Sequence, residues 1–192
     1  RGSYAGAITF FYTKGERGYM HKILDELAIK RAIARIANEI VERNKGLQDV
    51  VLIGVVTRGE FLAHRLSKKL EEIEGIPVPV YSLNPEFFRD DRRHHEFMIM
   101  DFMGKIDDKR VVLVDDVLYT GRTVRAAMDA LMVKDRPRSV QLVGLVDRGH
   151  RELPIRGDFI GKNVPTSQSE KIIVHLKEHD GEDGVYVAEK GE

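Results

Sequence analysis

Isoleucines at positions 29, 33, 36 and 40 recur every three or four residues with polar residues between them, the spacing that gathers one face of an α-helix. The pattern predicts a helix from about Glu26 to Arg43, stopped near Asn44 to Gly46. The next apolar run, Val50 to Val56 (VVLIGVV), is continuous, as a strand buried on both faces requires. Helical spacing returns with Leu62, Leu66, Leu70 and Ile73, and Thr123 to Met132 fits another helix. Further strands are expected at Val78 to Leu83, Val111 to Val114, Val140 to Val146 and Lys171 to Leu176. Strands alternating with helices predict an α/β fold, a parallel sheet flanked by helices. Near the end, Asp183-Gly184 predicts a short hairpin within Gly181 to Val187. Residues 1–19, opening with RGSYAG, hold neither period over a useful length and read as a leader, non-native or disordered. The natural start is expected at Met20, and the absence of any repeat or linker leaves one domain over residues 20–192.

Composition narrows the chemistry. A chain of 192 residues buries a core without disulfides or structural metal. With no cysteine, thiol catalysis and thiolate metal sites are excluded, and the cytoplasm is the natural compartment. No apolar run approaches the roughly 20 residues that span a bilayer, so a soluble protein with no membrane partner is expected. Thirty-one basic and 31 acidic residues cancel, so nucleic-acid binding would need a local basic patch.

The most informative stretch is VVLVDDVLYTGRT, Val111 to Thr123. A buried strand delivers Asp115 and Asp116 to its carboxyl end, where open α/β sheets place their ligands. Two adjacent acids there accept hydrogen bonds from the vicinal hydroxyls of a ribose. Thr120, Gly121, Arg122 and Thr123 then open a helix, whose first N–H groups lack partners and whose dipole end is positive, which suits a phosphate. Hydroxyl acceptors beside a phosphate site describe a ribose 5-phosphate.

That string resembles the phosphoribosyl pyrophosphate (PRPP) signature of type I phosphoribosyltransferases. The resemblance implies that Asp115 and Asp116 hold the ribose, that Thr120 to Thr123 bind the 5-phosphate, and that a loop after the first sheet strand cradles pyrophosphate. Here that loop is Thr57-Arg58-Gly59; an Arg beside a Gly offers a guanidinium fork and exposed amides to a diphosphate. Purine salvage members carry an acid just before the phosphate loop, and Tyr119 stands there in this chain, which argues against a purine base.

A longer resemblance, from Met20 nearly to the end, is to the PyrR family of pyrimidine attenuation regulators with uracil phosphoribosyltransferase activity. It rests on AIKRAIARIANEIVERNKG, the Thr-Arg-Gly loop, Arg89-Asp90-Asp91, the PRPP signature and Asp147 to Ser169 (DRGHRELPIRGDFIGKNVPTSQS). It implies a small hood beside the sheet, a homodimer or homotetramer, and binding of uracil, UMP or UTP, pyrophosphate and pyr leader RNA. On the first helix, Arg31, Arg35 and Asn38 project opposite the isoleucines at about 100° per residue, as a surface strip. A solvated helix face is the ordinary reading of such a strip. The resemblance instead implies an RNA surface of Arg31, Arg35, Asn38, His150, Arg151, Arg156 and Lys162, with Arg35 and Arg151 on a common face. Ala34 and Asn38 depart from the Thr and His of the Bacillus type, which bears on RNA preference. The stretch Arg92 to Lys105 is shorter and richer in Met and Phe than the family's hood loop, which bears on turnover.

The resemblance further implies transfer of a phosphoribosyl group from PRPP to uracil, giving UMP and diphosphate. Asp115, Asp116 and Arg58 are the expected catalytic residues, and Mg²⁺ is carried by the substrate with no ligand directly from the protein. Phe159, Ile160 and Lys162 are the expected contacts to the base. Two alternatives stay open: a salvage enzyme without RNA function, and a catalytically weak nucleotide-sensing regulator.

Overall fold

The computed structural model describes residues 8–13, 16–88 and 105–190. Arg89-Asp90-Asp91 and the Met- and Phe-rich stretch up to residue 104 lie outside them.

The isoleucine stripe forms helix α1, Glu26–Asn44. Asp25 caps its start, Oδ1 accepting from the Ala28 amide at 2.7 Å. Its end is closed by Lys45 in the left-handed region. Four expected strands of the parallel sheet are present: β3 (Val50–Val55), β4 (Val80–Leu83), β5 (Arg110–Leu118) and β6 (Ser139–Asp147). Helices α2 (Arg58–Glu74) and α3 (Arg122–Lys134) connect them. A strand not foreseen, β7 (Phe159–Asn163), completes the parallel order β4-β3-β5-β6-β7. Alternate residues of the central strand face opposite layers. Val112 and Val114 pack with Ile29, Ile36, Leu62 and Leu66 under α1 and α2, whereas Val111 and Leu113 pack with Val124, Ala127 and Leu131 of α3. Both faces are therefore covered, and the carboxyl end of the sheet is left for function.

Three expectations need correction. The strand expected at Lys171 to Leu176 is β8 (Glu170–His175), but it lies outside the parallel sheet. It pairs antiparallel with β9 (Gly184–Lys190), and the two belong to a second sheet of order β1-β2-β9-β8. The connection between them does not turn on Asp183-Gly184. It passes through a one-turn helix, α4 (Lys177–Asp180), and Gly184 already pairs with His175. Finally, the segment read as unpatterned carries β1 (Ile8–Thr13) and β2 (Glu16–Leu24). The two pair with each other, and β2 pairs in turn with the distant tail, Met20 standing opposite Ala188 and His21 opposite Val187. Antiparallel edge pairing is made by backbone groups, so it leaves little periodic trace in side chains.

Candidate active site

Strand β5 carries Asp115 and Asp116 to the carboxyl end of the sheet, and Asp115 is 6% exposed. Each carboxylate is oriented by the next amide: Asp116 N–H donates to Asp115 Oδ1 and Val117 N–H to Asp116 Oδ1, both at 2.9 Å. Burial pushes the Asp116 carboxyl up from its usual value, against its hydrogen bonding to Asp115 and the Val117 amide and the nearby charge of Arg58. Two residues after β5, the chain reaches Thr120 and then Gly121, whose φ of +92° lies in the left-handed region that glycine enters without steric cost. The next residue starts α3, which has no side-chain cap at Gly121. The first turn of such a helix presents amides and positive dipole to an anion. Asp115, Tyr119, Thr120, Gly121, Thr123 and Arg151 line a cleft of about 230 Å³ at this point, with Leu142 and Ile155 among its apolar walls.

The turn from β3 into α2 presses against the central strand. A methyl on Gly54 would stand 2.3 Å from Glu60 Cα, and one on Gly59 2.4 Å from the Val114 carbonyl oxygen. Both positions require glycine for close backbone approach. Arg58 follows exposed Thr57, and its guanidinium interacts with the Asp116 charge. Its fork is already engaged: Nε and one Nη donate to Asp180 of α4 at 3.0 and 2.7 Å. The guanidinium and the Leu176 amide hold the Asp180 carboxyl down to about 2.

Residues 20–179 match the family model described as the phosphoribosyl transferase domain. The bifunctional protein PyrR of Leuconostoc citreum is 53% identical over 173 residues, 86% of this chain and 97% of that protein. The PyrR of Clostridioides difficile is 55% identical over 174 residues, 88% and 97% of the two chains. This chain belongs to the PyrR family. Among solved structures, the hypoxanthine phosphoribosyltransferase of Trypanosoma cruzi superposes with a TM-score of 0.69 at 22% identity, over 88% of this chain and 97% of that one. The parallel sheet flanked by helices that the alternating pattern predicted is thus the type I phosphoribosyltransferase fold that the resemblance implied.

Within this PyrR-family fold, the other sequence-derived candidates fall in three places. Arg31, Arg35 and Asn38 are exposed, opposite Ile29, Ile33, Ile36 and Ile40, which are at most 7% exposed. The Arg35 guanidinium donates to the carbonyls of Ile160 and Gly161 at 2.8 and 2.7 Å, so the strip borders β7, where Lys162 is also exposed. Arg151 is elsewhere. It lines the cleft beside Thr120, donating to the Tyr119 carbonyl at 2.6 Å, to Asp147 Oδ2 at 2.6 Å and to the Ile155 carbonyl at 2.7 Å. The loop that carries it is mounted on the turn that opens α3, since the Glu152 and Leu153 amides both donate to the Thr120 carbonyl. Exposed His150 and Arg156 belong to that same loop. Arg35 is thus held between α1 and β7, and Arg151 within the loop that follows β6.

The expected base contacts need correction as well. Phe159 is 3% exposed and packs in the core beneath α1, with the Arg43 guanidinium over its ring. Ile160 packs toward Gly144 and Gly157, and the Lys162 ammonium points to the Ile23 carbonyl at 3.5 Å. Phe159 and Ile160 pair with Val143 and Gly144, and none of the three is among the residues that line the cleft. The residue overlooked is Arg148. It is 6% exposed, its guanidinium carbon lies 4.0 Å from the Tyr119 ring centroid, and it donates to Thr166 Oγ1 and the Ser167 and Glu170 carbonyls. Its place directly after a buried strand was the available signal. Among the described residues, no group of three or more His, Cys, Asp or Glu could hold a metal ion, and no helix is long and apolar enough to cross a membrane.

Proposed function

We propose that this protein is a regulator of pyrimidine biosynthesis that binds pyr leader RNA in response to uridine nucleotides, and that it makes UMP and diphosphate from uracil and PRPP. The observation that carries the catalytic half is the continuous run from the two acids of β5 into the uncapped start of α3. Ribose acceptors and a phosphate site lie five residues apart on one cleft.

In the reaction, the ring nitrogen of uracil forms a bond to the anomeric carbon as the bond to the diphosphate oxygen breaks, and the proton on that nitrogen is lost. Thr120 to Thr123 hold the 5-phosphate through first-turn amides and hydroxyls. Asp115 and Asp116 hold the ribose hydroxyls and stabilise positive character on the sugar. The Thr57-Arg58-Gly59 loop receives the diphosphate, and Arg58 offsets the charge that grows on it. No protein nucleophile is needed, since position and electrostatics suffice. The carboxylates at the end of β5 are hard oxygen donors of the class Mg²⁺ takes, directly or through water. Mg²⁺ bound with PRPP supplies charge neutralisation for the leaving diphosphate. We assign the base contact to Tyr119, which lines this cleft with the Arg148 guanidinium over its ring, in place of the expected β7 residues.

RNA binding is assigned to the α1 strip and neighbouring Lys162, with His150, Arg151 and Arg156 on the loop beside the nucleotide. The protein acts in the cytoplasm as a homodimer or homotetramer. The test is UMP formation and RNA titration on one preparation, with and without UMP. UMP is expected to tighten RNA binding, and linkage then requires RNA to tighten UMP by the same factor. Arg31→Ala should weaken binding to all RNA sequences and reduce the salt slope by about one unit, with UMP synthesis retained. UMP synthesis without salt-dependent preference for the leader would leave a salvage enzyme. RNA binding without turnover would leave a nucleotide-sensing regulator.

A further inference from the structure

The Arg58 fork, assigned above to the diphosphate, already holds a carboxylate. A guanidinium edge accepts one bidentate oxyanion at a time, and Asp180 occupies the Nε edge with two short hydrogen bonds, 3.0 and 2.7 Å. The pair is shielded: the Asp180 side chain is 12% exposed and that of Arg58 29%. It also faces the reaction, because the charge of Asp116 interacts with Arg58.

The segment that brings Asp180 is suited to movement on a local scale. Helix α4 is a single turn, Lys177–Asp180, closed by Gly181 at φ +81° in the left-handed region. Residues Lys177, Glu178 and His179 are exposed. A separate clamp keeps the segment nearby, since Arg65 of α2 pairs with Glu178 and Asp183. Release of Asp180 therefore need not detach the whole β8–β9 connection.

We propose that Asp180 is the resting counter-ion of Arg58, an internal stand-in for diphosphate that the substrate's own diphosphate displaces. Asp180 is then a positioning residue that sets the affinity of the leaving-group subsite and assists product release by retaking the fork. The proposal rests on the assignment of Arg58 to diphosphate.

The experiment is calorimetric titration of the full chain with inorganic pyrophosphate and Mg²⁺, together with steady-state kinetics in PRPP. Asp180→Asn keeps the side-chain shape and removes the competing charge. The dissociation constant for Mg-pyrophosphate should fall by about tenfold, and KM for PRPP should fall with it while KM for uracil is unchanged. Arg58→Gln should weaken pyrophosphate binding, and in that background Asp180→Asn should have no further effect. Weaker pyrophosphate binding in Asp180→Asn, or none of the expected gain, overturns the exchange. If Arg58→Gln itself leaves pyrophosphate binding unchanged, the assignment of Arg58 fails instead. Circular dichroism and the intact Arg65 clamp separate either result from misfolding, and Asp180→Glu should restore wild-type affinity.

Discussion

The two parts of the proposed site are built in different ways. The part proposed for the phosphate is local: Asp115, Asp116 and Thr120 to Thr123 follow one another along a strand, a short connection and a helix start. The part proposed for the leaving group is assembled from afar, because Arg58 meets a carboxylate 122 residues away in sequence. A local end depends on backbone conformation and strand burial. A remote end depends on how two sheets and the tail pack, so its charge balance is set by a partner that no motif contains. The glycines show the same contrast. Gly121 is needed for its φ of +92°, with the nearest side-chain atoms 3.5 Å from an added methyl. Gly59 is needed for space alone, 2.4 Å from the Val114 oxygen.

The sharpest way to break this comparison is at the acids. Asp115→Asn and Asp116→Asn should each lower kcat by about 10²-fold or more, since each removes charge that faces the sugar, with little change in the urea midpoint. Undiminished turnover in both variants would remove the acidic pair from the mechanism. Gly59→Ala should come next, lowering stability by about 1–3 kcal/mol in urea unfolding, because a backbone oxygen has to yield to the new methyl.

Asp180→Asn sharpens the remote end. The native carboxyl is held at about 2, below its usual 3.8, so the pair contributes stability above about pH 4 that is lost as pH falls through about 2. Wild type should exceed the variant by at most about 2 kcal/mol at pH 7, and the two stability curves should converge between about pH 4 and 2. A difference that stays constant over that range would rule out the ion pair as its source. The smallest effect belongs to Gly121→Ala, where a left-handed alanine costs about 1 kcal/mol. Its companion readout is weaker UMP binding with unaltered pyrophosphate binding, because only the phosphate end is disturbed.

The periodicity of Ile29, Ile33, Ile36 and Ile40 and the continuous run of Val50 to Val56 were enough to place α1 and β3, since burial on one face or two leaves its mark on neighbouring residues. The string Val111 to Thr123 placed two acids at the end of β5 beside the start of α3 for the same reason: strand, acids and helix start are contiguous. Packing decided the rest. β1, β2 and β9 are joined by backbone pairing between the two ends of the chain, and the pattern of any one strand does not name its partner. The register of β7 buried Phe159 that the motif had offered to the base. Arg151 was drawn to the cleft by carbonyls of residues 119 and 155, and Arg148 was stacked on Tyr119. The partner of Arg58 was likewise set by tertiary structure, because Coulomb and hydrogen-bond energies depend on distance in space, and only the folded chain brings Asp180 within 3.0 Å.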